Sequence, residues 1–147
     1  MTQPRRQTPL PTSSAVVDPQ PQTVCVIEDD HDIRETLRFL LEDTGYRVIE
    51  AEDGLTGYAL LQQSTERLVV LLDHKLPQMD GCDLLELAAN DEVLRVQHAF
   101  ILVTASPKNA EEDCGEHLDD LDAPLISKPF DIDEVLDAVA EAATRLA

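Results

Sequence analysis

Apolar runs of this sequence end in charged or polar side chains at four places. These residues are Glu28, Asp29 and Asp30 after the first run, Asp73 after the second, Thr104 after the third and Lys128 after the fourth. Carboxylates about 5 Å apart repel each other by about 3 kcal/mol at an effective dielectric near 20, so they require a cation. Oxygen donors without histidine or cysteine favour Mg²⁺ or Mn²⁺ over zinc. A carboxylate nucleophile beside a metal ion, a lysine and a hydroxyl is suited to forming an aspartyl phosphate.

This chemistry requires the apolar runs to end at one edge of the same sheet. Three of them, Thr23–Ile27, Arg67–Leu72 and His98–Val103, are continuously apolar after their first residue, as strands of a parallel sheet are when helices cover both faces. Two further strands are predicted at Tyr46–Ala51 and Leu125–Ser127. Because parallel strands place their carboxyl ends on one edge, we expect the polar residues to converge there.

Helical patterns separate these five strands. The first helix is predicted from Ile33 to Thr44, the second begins at about Asp53, and the third follows the turn at Asp80 and Gly81. The fourth is predicted from Asn109 to about Asp120. The last begins at Asp131, where a capping box with Glu134 is expected. Five strands that alternate with five helices predict an α/β fold, a doubly wound parallel sheet with helices on both faces.

Composition limits the partners of this fold. The chain has 147 residues, of which 30 are acidic and 11 basic, giving a net charge of −19. Nucleic-acid binding needs an excess of Lys and Arg, and anionic membranes disfavour such a charge, so we expect neither partner. No apolar run approaches the ~20 residues that span a bilayer. We therefore expect a soluble, cytoplasmic protein.

The cysteines and histidines suggest no metal site. Cys25, Cys82 and Cys114 are odd in number and widely spaced, so we expect reduced thiols, with Cys25 and Cys82 in the core, and no disulfide. The four histidines lack ligand spacing, which favours surface or loop positions; His74, directly after Asp73, could tune access to it.

Four motifs resemble the receiver domain of two-component response regulators. They are VIEDD (Val26–Asp30), VVLLDHKLPQMDG (Val69–Gly81), ILVTAS (Ile101–Ser106) and LISKPF (Leu125–Phe130). Their order and spacing fit that family over about Thr23 to Leu146. The resemblance implies a flavodoxin-like sheet with strand order 2-1-3-4-5.

The resemblance also implies the residues of phosphoryl transfer. Asp73 would accept a phosphoryl group from the phosphohistidine of a sensor histidine kinase. Thr104 would be the switch hydroxyl that moves onto the phosphoryl group, and Lys128 would pair with the phosphoryl oxygens. The Lys128–Pro129 bond resembles the cis peptide of the family.

The metal site is implied in the same way. Asp29, Asp73 and the backbone carbonyl of Lys75 would ligate Mg²⁺ (or Mn²⁺), and Glu28 would act through a water molecule. Asp30 is interpreted instead as the cap of the first helix.

Two positions depart from the family pattern. Leu125 occupies the switch position where an aromatic residue usually stands, which puts aromatic-gated signalling in doubt. Lys75 stands where smaller or uncharged side chains are common. An apolar stripe on the last helix, wider than one core-facing side needs, suggests a homodimer through the fourth predicted helix, the fifth strand and the last helix.

The domain prediction is a flexible tail over residues 1–22 and a receiver domain over residues 23–147. We expect a stand-alone response regulator that promotes only its own phosphorylation and dephosphorylation, is not otherwise an enzyme, and signals through protein contact. A phosphotransfer protein is a further candidate partner. Two alternatives stay open. One is a pseudo-receiver that binds partners without taking phosphate. The other is an aspartyl-phosphate phosphatase, which Lys75 disfavours because that position would need an acid.

Overall fold

A parallel sheet organises residues 21–146, the part of the chain that the computed structural model describes; all but the last two residues of the predicted tail lie outside it. The strands are β1 (Thr23–Ile27), β2 (Arg47–Ala51), β3 (Leu68–Asp73), β4 (Ala99–Thr104) and β5 (Leu125–Ser127). The helices are α1 (His31–Asp43), α2 (Gly54–Gln63), α3 (Gly81–Ala89), α4 (Glu92–Gln97), α5 (Pro107–Asp120) and α6 (Ile132–Leu146).

The strands lie in the order β2-β1-β3-β4-β5, and every neighbouring pair is parallel. This confirms the order 2-1-3-4-5. In register, Ile27 pairs with Leu72, Asp73 with Val103, and Thr104 with Ser127. The carboxyl ends of four strands therefore lie side by side.

Helices cover both faces of this sheet. Every residue of β1, β3 and β4 is buried, which explains why these strands are continuously apolar. Alternate strand residues contribute to two separate cores. One core includes residues of α1 and α6, and the other includes residues of α2, α3, α4 and α5.

Aspartates begin several of the helices. Asp30 caps α1 by accepting hydrogen bonds from the N–H groups of Asp32 and Ile33, as predicted for that residue. A reciprocal capping box joins Asp80 and Asp83 at the start of α3. In place of the box predicted at the start of α6, Asp131 accepts from the N–H of Asp133 at 3.0 Å.

The described residues contain one helix more than predicted. α4 has six residues and buries only Leu94 among them, so it lacks the repeated apolar spacing that reveals a helix in sequence. None of the helices within residues 21–146 has the length and apolar content to cross a membrane.

The predictions for the cysteines and for His98 need correction. Cys82 in α3 and Cys114 in α5 form a disulfide, because both helices pack on the same face of the sheet; Cys25 is a free, buried thiol, as expected. His98 is not a surface residue. Its Nδ1 accepts from the N–H of Leu68 at 3.1 Å, and its Nε2 lies 3.2 Å from the carbonyl oxygen of Leu61.

Candidate functional site

The candidate site lies at the carboxyl ends of the strands. Glu28 and Asp29 directly follow β1, Asp73 is the last residue of β3, Thr104 ends β4, and Lys128 directly follows β5. The parallel register brings these ends together, as the sequence predicted. The Lys128–Pro129 peptide is cis, as the resemblance implied.

Lys128 connects two carboxylates of the site. Its Nζ lies 2.9 Å from Asp73 Oδ1 and donates a hydrogen bond to Glu28 Oε1 at 3.0 Å. Glu28 and Asp73 are almost fully buried, with residue exposures of 3% and 6%. A buried carboxylate needs a partner of opposite charge, and one ammonium group here serves two.

A third carboxylate completes the acidic group. Carboxylate oxygens of Glu28, Asp29 and Asp73 all lie within 4.8 Å of one another. Asp29 is exposed whereas the other two are buried, so the group is reached from solvent on the side of Asp29. Lys75 is exposed as well.

The pKa values of the site reflect burial first and then the excess of negative charge. Burial, and after it the charge of Asp73, raises the pKa of Glu28 to about 7, against the lowering effect of Lys128. Burial likewise raises the pKa of Asp73, and the charge of Asp29 adds to the effect. For Lys128, burial opposes the charged form, but hydrogen bonds to Asp73 and Glu28 raise its pKa overall. The site therefore favours a further positive charge.

The oxygen donors of the candidate site fit a hard divalent cation. Three carboxylates converge, and oxygen ligands of this kind suit Mg²⁺ or Mn²⁺. Lys128 supplies one positive charge to this group, so the three carboxylates exceed the charge that it can balance.

The start of α3 packs directly against the end of β3. The N–H of Gly81 donates to the carbonyl oxygen of His74 at 2.8 Å. A Cβ at Gly81 would lie 2.4 Å from the carbonyl oxygen of Asp73, closer than atoms can approach. Glycine thus allows the helix to support the backbone that carries Asp73.

Thr104 contacts a histidine whose burial was not expected. His74 lies in the loop after β3, one of the positions expected for it, but it is fully buried and so is not a surface residue. Its Nδ1 lies 2.9 Å from Thr104 Oγ1, which also accepts from the N–H of Ser106 at 2.9 Å. The only sequence signal was its position directly after a fully apolar strand. Leu125 is half-buried and packs against the core on the α3 and α5 side.

The arrangement can perform nucleophilic chemistry on an electrophile of high negative charge. Asp73 supplies a carboxylate oxygen, Lys128 a cation beside it, and the acidic group a position for a metal ion. A phosphoryl group is an electrophile that uses all three.

Comparison with known proteins gives consistent results. A family model described as the response regulator receiver domain matches residues 24–140. Over 120 residues the chain is 34% identical to sporulation initiation phosphotransferase F of Bacillus subtilis, covering 80% of this chain and 90% of that protein. It is 31% identical over 125 residues to response regulator GtcR of Aneurinibacillus migulanus, but spans only 48% of that relative's length.

A solved structure shares the fold. The receiver domain of sensor histidine kinase PA1611 from Pseudomonas aeruginosa PAO1 matches with a TM-score of 0.73 and 21% identity, over 84% of this chain and 98% of that one. That structure is described with a magnesium ion coordinated in its active site cleft.

Proposed function

The chain belongs to the response regulator receiver family, and from this premise we propose that it accepts a phosphoryl group on Asp73 from the phosphohistidine of a sensor histidine kinase. The observation that carries the proposal is the contact of 2.9 Å between Asp73 Oδ1 and Lys128 Nζ, in a group that also contains Glu28 and Asp29. The domain would serve a two-component pathway in which phosphorylation carries the signal.

The transfer itself uses the Asp73 carboxylate. One of its oxygens forms a bond to phosphorus while the phosphorus–nitrogen bond of the phosphohistidine breaks, and the electron pair of that bond returns to the histidine nitrogen. Lys128 favours the ionised, nucleophilic form of Asp73, because its charge opposes the effect of burial on the pKa. The same ammonium group is placed to contact the phosphoryl oxygens after transfer.

A divalent cation is part of the proposal. Asp29, Asp73 and the backbone carbonyl of Lys75 would hold Mg²⁺ or Mn²⁺, with Glu28 acting through water. When bound, the ion supplies positive charge that offsets the carboxylates and stabilises the phosphoryl oxygens. The converging carboxylates of the acidic group support this assignment, and so does the magnesium described for the PA1611 receiver domain.

Thr104 would transmit the signal. Its hydroxyl oxygen contacts Nδ1 of His74 and accepts a hydrogen bond from the N–H of Ser106. Moving onto a phosphoryl group would replace these contacts with a hydrogen bond to a charged oxygen. Leu125, packed nearby as an aliphatic residue, would repack when Thr104 moves. Such a two-state element, biased by charge, is the usual basis of a phosphorylation switch.

The output is proposed to be protein contact at the face of α5, β5 and α6, including a homodimer. α6 uses Val135, Val139 and Ala142 for its own core and leaves Ile132 44% exposed, so less of its apolar stripe is free than the sequence suggested. Sedimentation velocity with and without beryllofluoride, a phosphoryl mimic, tests this: the dimer fraction should rise with the mimic. A monomer under both conditions would contradict it.

A phosphotransfer protein is a second proposed partner, and the chain is proposed to catalyse only its own phosphorylation and dephosphorylation. The central test is incubation with acetyl phosphate and Mg²⁺, read by intact mass. We expect one added phosphoryl group per chain, lost in Asp73→Asn and with EDTA, and kept in Asp137→Asn, an exposed aspartate of α6. An adduct that survives Asp73→Asn would overturn the assignment, and no adduct at all would favour a pseudo-receiver.

A further inference from the structure

A second group of potential ligands lies beside Thr104, apart from the acidic group. We call it the thiol cluster, and its members are His74, Cys82, Asp113 and Cys114. His74 directly follows β3, Cys82 lies in the first turn of α3, and the other two residues are consecutive in α5. Ligand atoms of His74, Cys82 and Asp113 all lie within 4.8 Å of one another.

The imidazole of His74 is incompletely satisfied. Its Nδ1 contacts Thr104, but its Nε2 is buried and has no hydrogen-bond partner. The nearest acidic atom, Asp113 Oδ2, lies 3.5 Å from it, on a side chain that is 52% exposed. A buried polar atom without a partner destabilises the folded state, so a ligand that Nε2 could bind would stabilise the fold.

The two cysteines complete the group around this nitrogen. Cys82 Sγ is bonded to Cys114 Sγ, and the Cα atoms are 5.5 Å apart. α5 is interrupted at Cys114, where the backbone is not helical (φ −147°, ψ 23°). Consecutive residues of a regular helix point about 100° apart. The interruption lets Asp113 and Cys114 both reach the thiol cluster.

We propose that the thiol cluster binds one zinc ion when its disulfide is reduced. The four donors would be His74 Nε2, two thiolates and one carboxylate oxygen of Asp113. Zinc takes four such ligands in a tetrahedron at about 2.0–2.3 Å, which puts the ligand atoms about 3.3–3.8 Å apart. The distance of 3.5 Å between His74 Nε2 and Asp113 Oδ2 already fits, and the sulfur atoms must separate once the bond between them is broken.

Zinc binding requires reduction of the disulfide first, and both steps balance in electrons and protons. A phosphine reductant supplies two electrons to the S–S bond and becomes its oxide with oxygen from water, whose two protons complete the two thiols. Zinc then displaces both thiol protons and binds the thiolates. Oxidation by a disulfide oxidant reverses the step, releases the metal and restores the disulfide.

The neighbouring hydrogen bond agrees with a metal on Nε2. A histidine that binds zinc through one nitrogen usually donates from the other, and Nδ1 of His74 lies 2.9 Å from Thr104 Oγ1, an oxygen able to accept that hydrogen bond. The donors also separate the two sites by chemistry, because thiolates and imidazole select zinc, whereas the acidic group offers only hard oxygen. The proposal does not depend on phosphorylation of Asp73.

Cobalt binding gives a direct test, because thiolate ligation produces a charge-transfer band that oxygen ligands do not. The chain is reduced with a phosphine, excess Mg²⁺ occupies the acidic group, and Co²⁺ and then Zn²⁺ are added. We expect the band with Co²⁺, its loss on displacement by Zn²⁺, and one zinc per chain by elemental analysis. The oxidised chain, whose cysteines are joined in the disulfide, should show no band and bind no zinc.

Variants identify the ligands. Cys82→Ser should at least halve the band, because only the Cys114 thiolate remains, and Asp113→Asn should weaken zinc binding roughly tenfold or more. Glu112→Gln changes the preceding exposed carboxylate of α5 and should bind zinc as wild type does. Circular dichroism checks the fold, and Asp113→Asn keeps the test valid if Cys82→Ser unfolds. Absence of the band in the reduced chain, or equal zinc binding by Asp113→Asn and Glu112→Gln, would overturn the proposal.

Discussion

Replacing Glu28 with glutamine should stabilise the metal-free protein at alkaline pH. Glu28 is 3% exposed, and burial together with the charge of Asp73 raises its pKa to about 7 from an ordinary 4.5. Because the folded state binds this proton more tightly than the unfolded state, the free energy of unfolding falls as the pH rises from about 4.5 through about 7. Glutamine keeps an oxygen for Lys128 but does not titrate.

The pKa difference sets the size of the effect. A rise from 4.5 to about 7 corresponds to about 3 kcal/mol when Glu28 is ionised in both states. Part of this belongs jointly to Asp73, so we expect Glu28→Gln to be about 1–3 kcal/mol more stable than wild type at pH 8. The difference should shrink below about 1 kcal/mol at pH 5, where the unfolded carboxyl group is partly protonated.

Urea unfolding with EDTA, at intervals from pH 5 to pH 8, measures this difference. Glu112→Gln, an exposed carboxylate of α5, controls for the loss of one negative charge from the chain. Added Mg²⁺ should stabilise wild type more than Glu28→Gln, because the ion offsets the charge that the variant lacks. If Glu28→Gln is less stable than wild type at pH 8, or if the difference does not change with pH, the electrostatic description of the site is wrong.

Three other changes test the site and the fold that positions it. Lys128→Met leaves two buried carboxylates without their shared cation, so urea unfolding at pH 8 should show a loss of about 1–3 kcal/mol and intact mass should show slower phosphorylation. Gly81→Ala places a Cβ against the Asp73 carbonyl oxygen, so urea unfolding should show a free energy of unfolding lower by about 1–3 kcal/mol. Gly115→Ala is the control: its Cβ meets no atom within 4 Å, so its free energy of unfolding should not change. His98→Ala should cost about 1–3 kcal/mol at pH 8 by unpairing buried backbone groups. Burial lowers the pKa of His98, so this cost should shrink as the pH falls below 6.5; a constant cost would contradict that reason.

The sheet and the convergence of the site were predictable because they follow from short-range patterns. Continuous apolar runs indicate buried parallel strands, and parallel strands end at one edge. That alone brings Glu28, Asp73 and Lys128 near one another, as the structure does. The order of the strands did not follow from the patterns and required the family resemblance.

The disulfide and the burial of His74 were not predictable from local patterns. Cys82 and Cys114 are 32 residues apart, and their contact depends on how α3 and α5 pack on a shared face. His74 directly follows β3, and only its tertiary neighbours Thr104 and Asp113 show that it turns inward. Sequence spacing carries no information on such contacts between distant helices and loops.

The most direct test of the central claim is to locate the phosphoryl group on the wild-type chain. Borohydride reduces an aspartyl phosphate to homoserine, which peptide mass spectrometry places at a single residue. After reaction with acetyl phosphate and Mg²⁺, we predict homoserine at position 73 alone. Homoserine at position 29, or a phosphoryl group on a histidine in place of Asp73, would contradict the account.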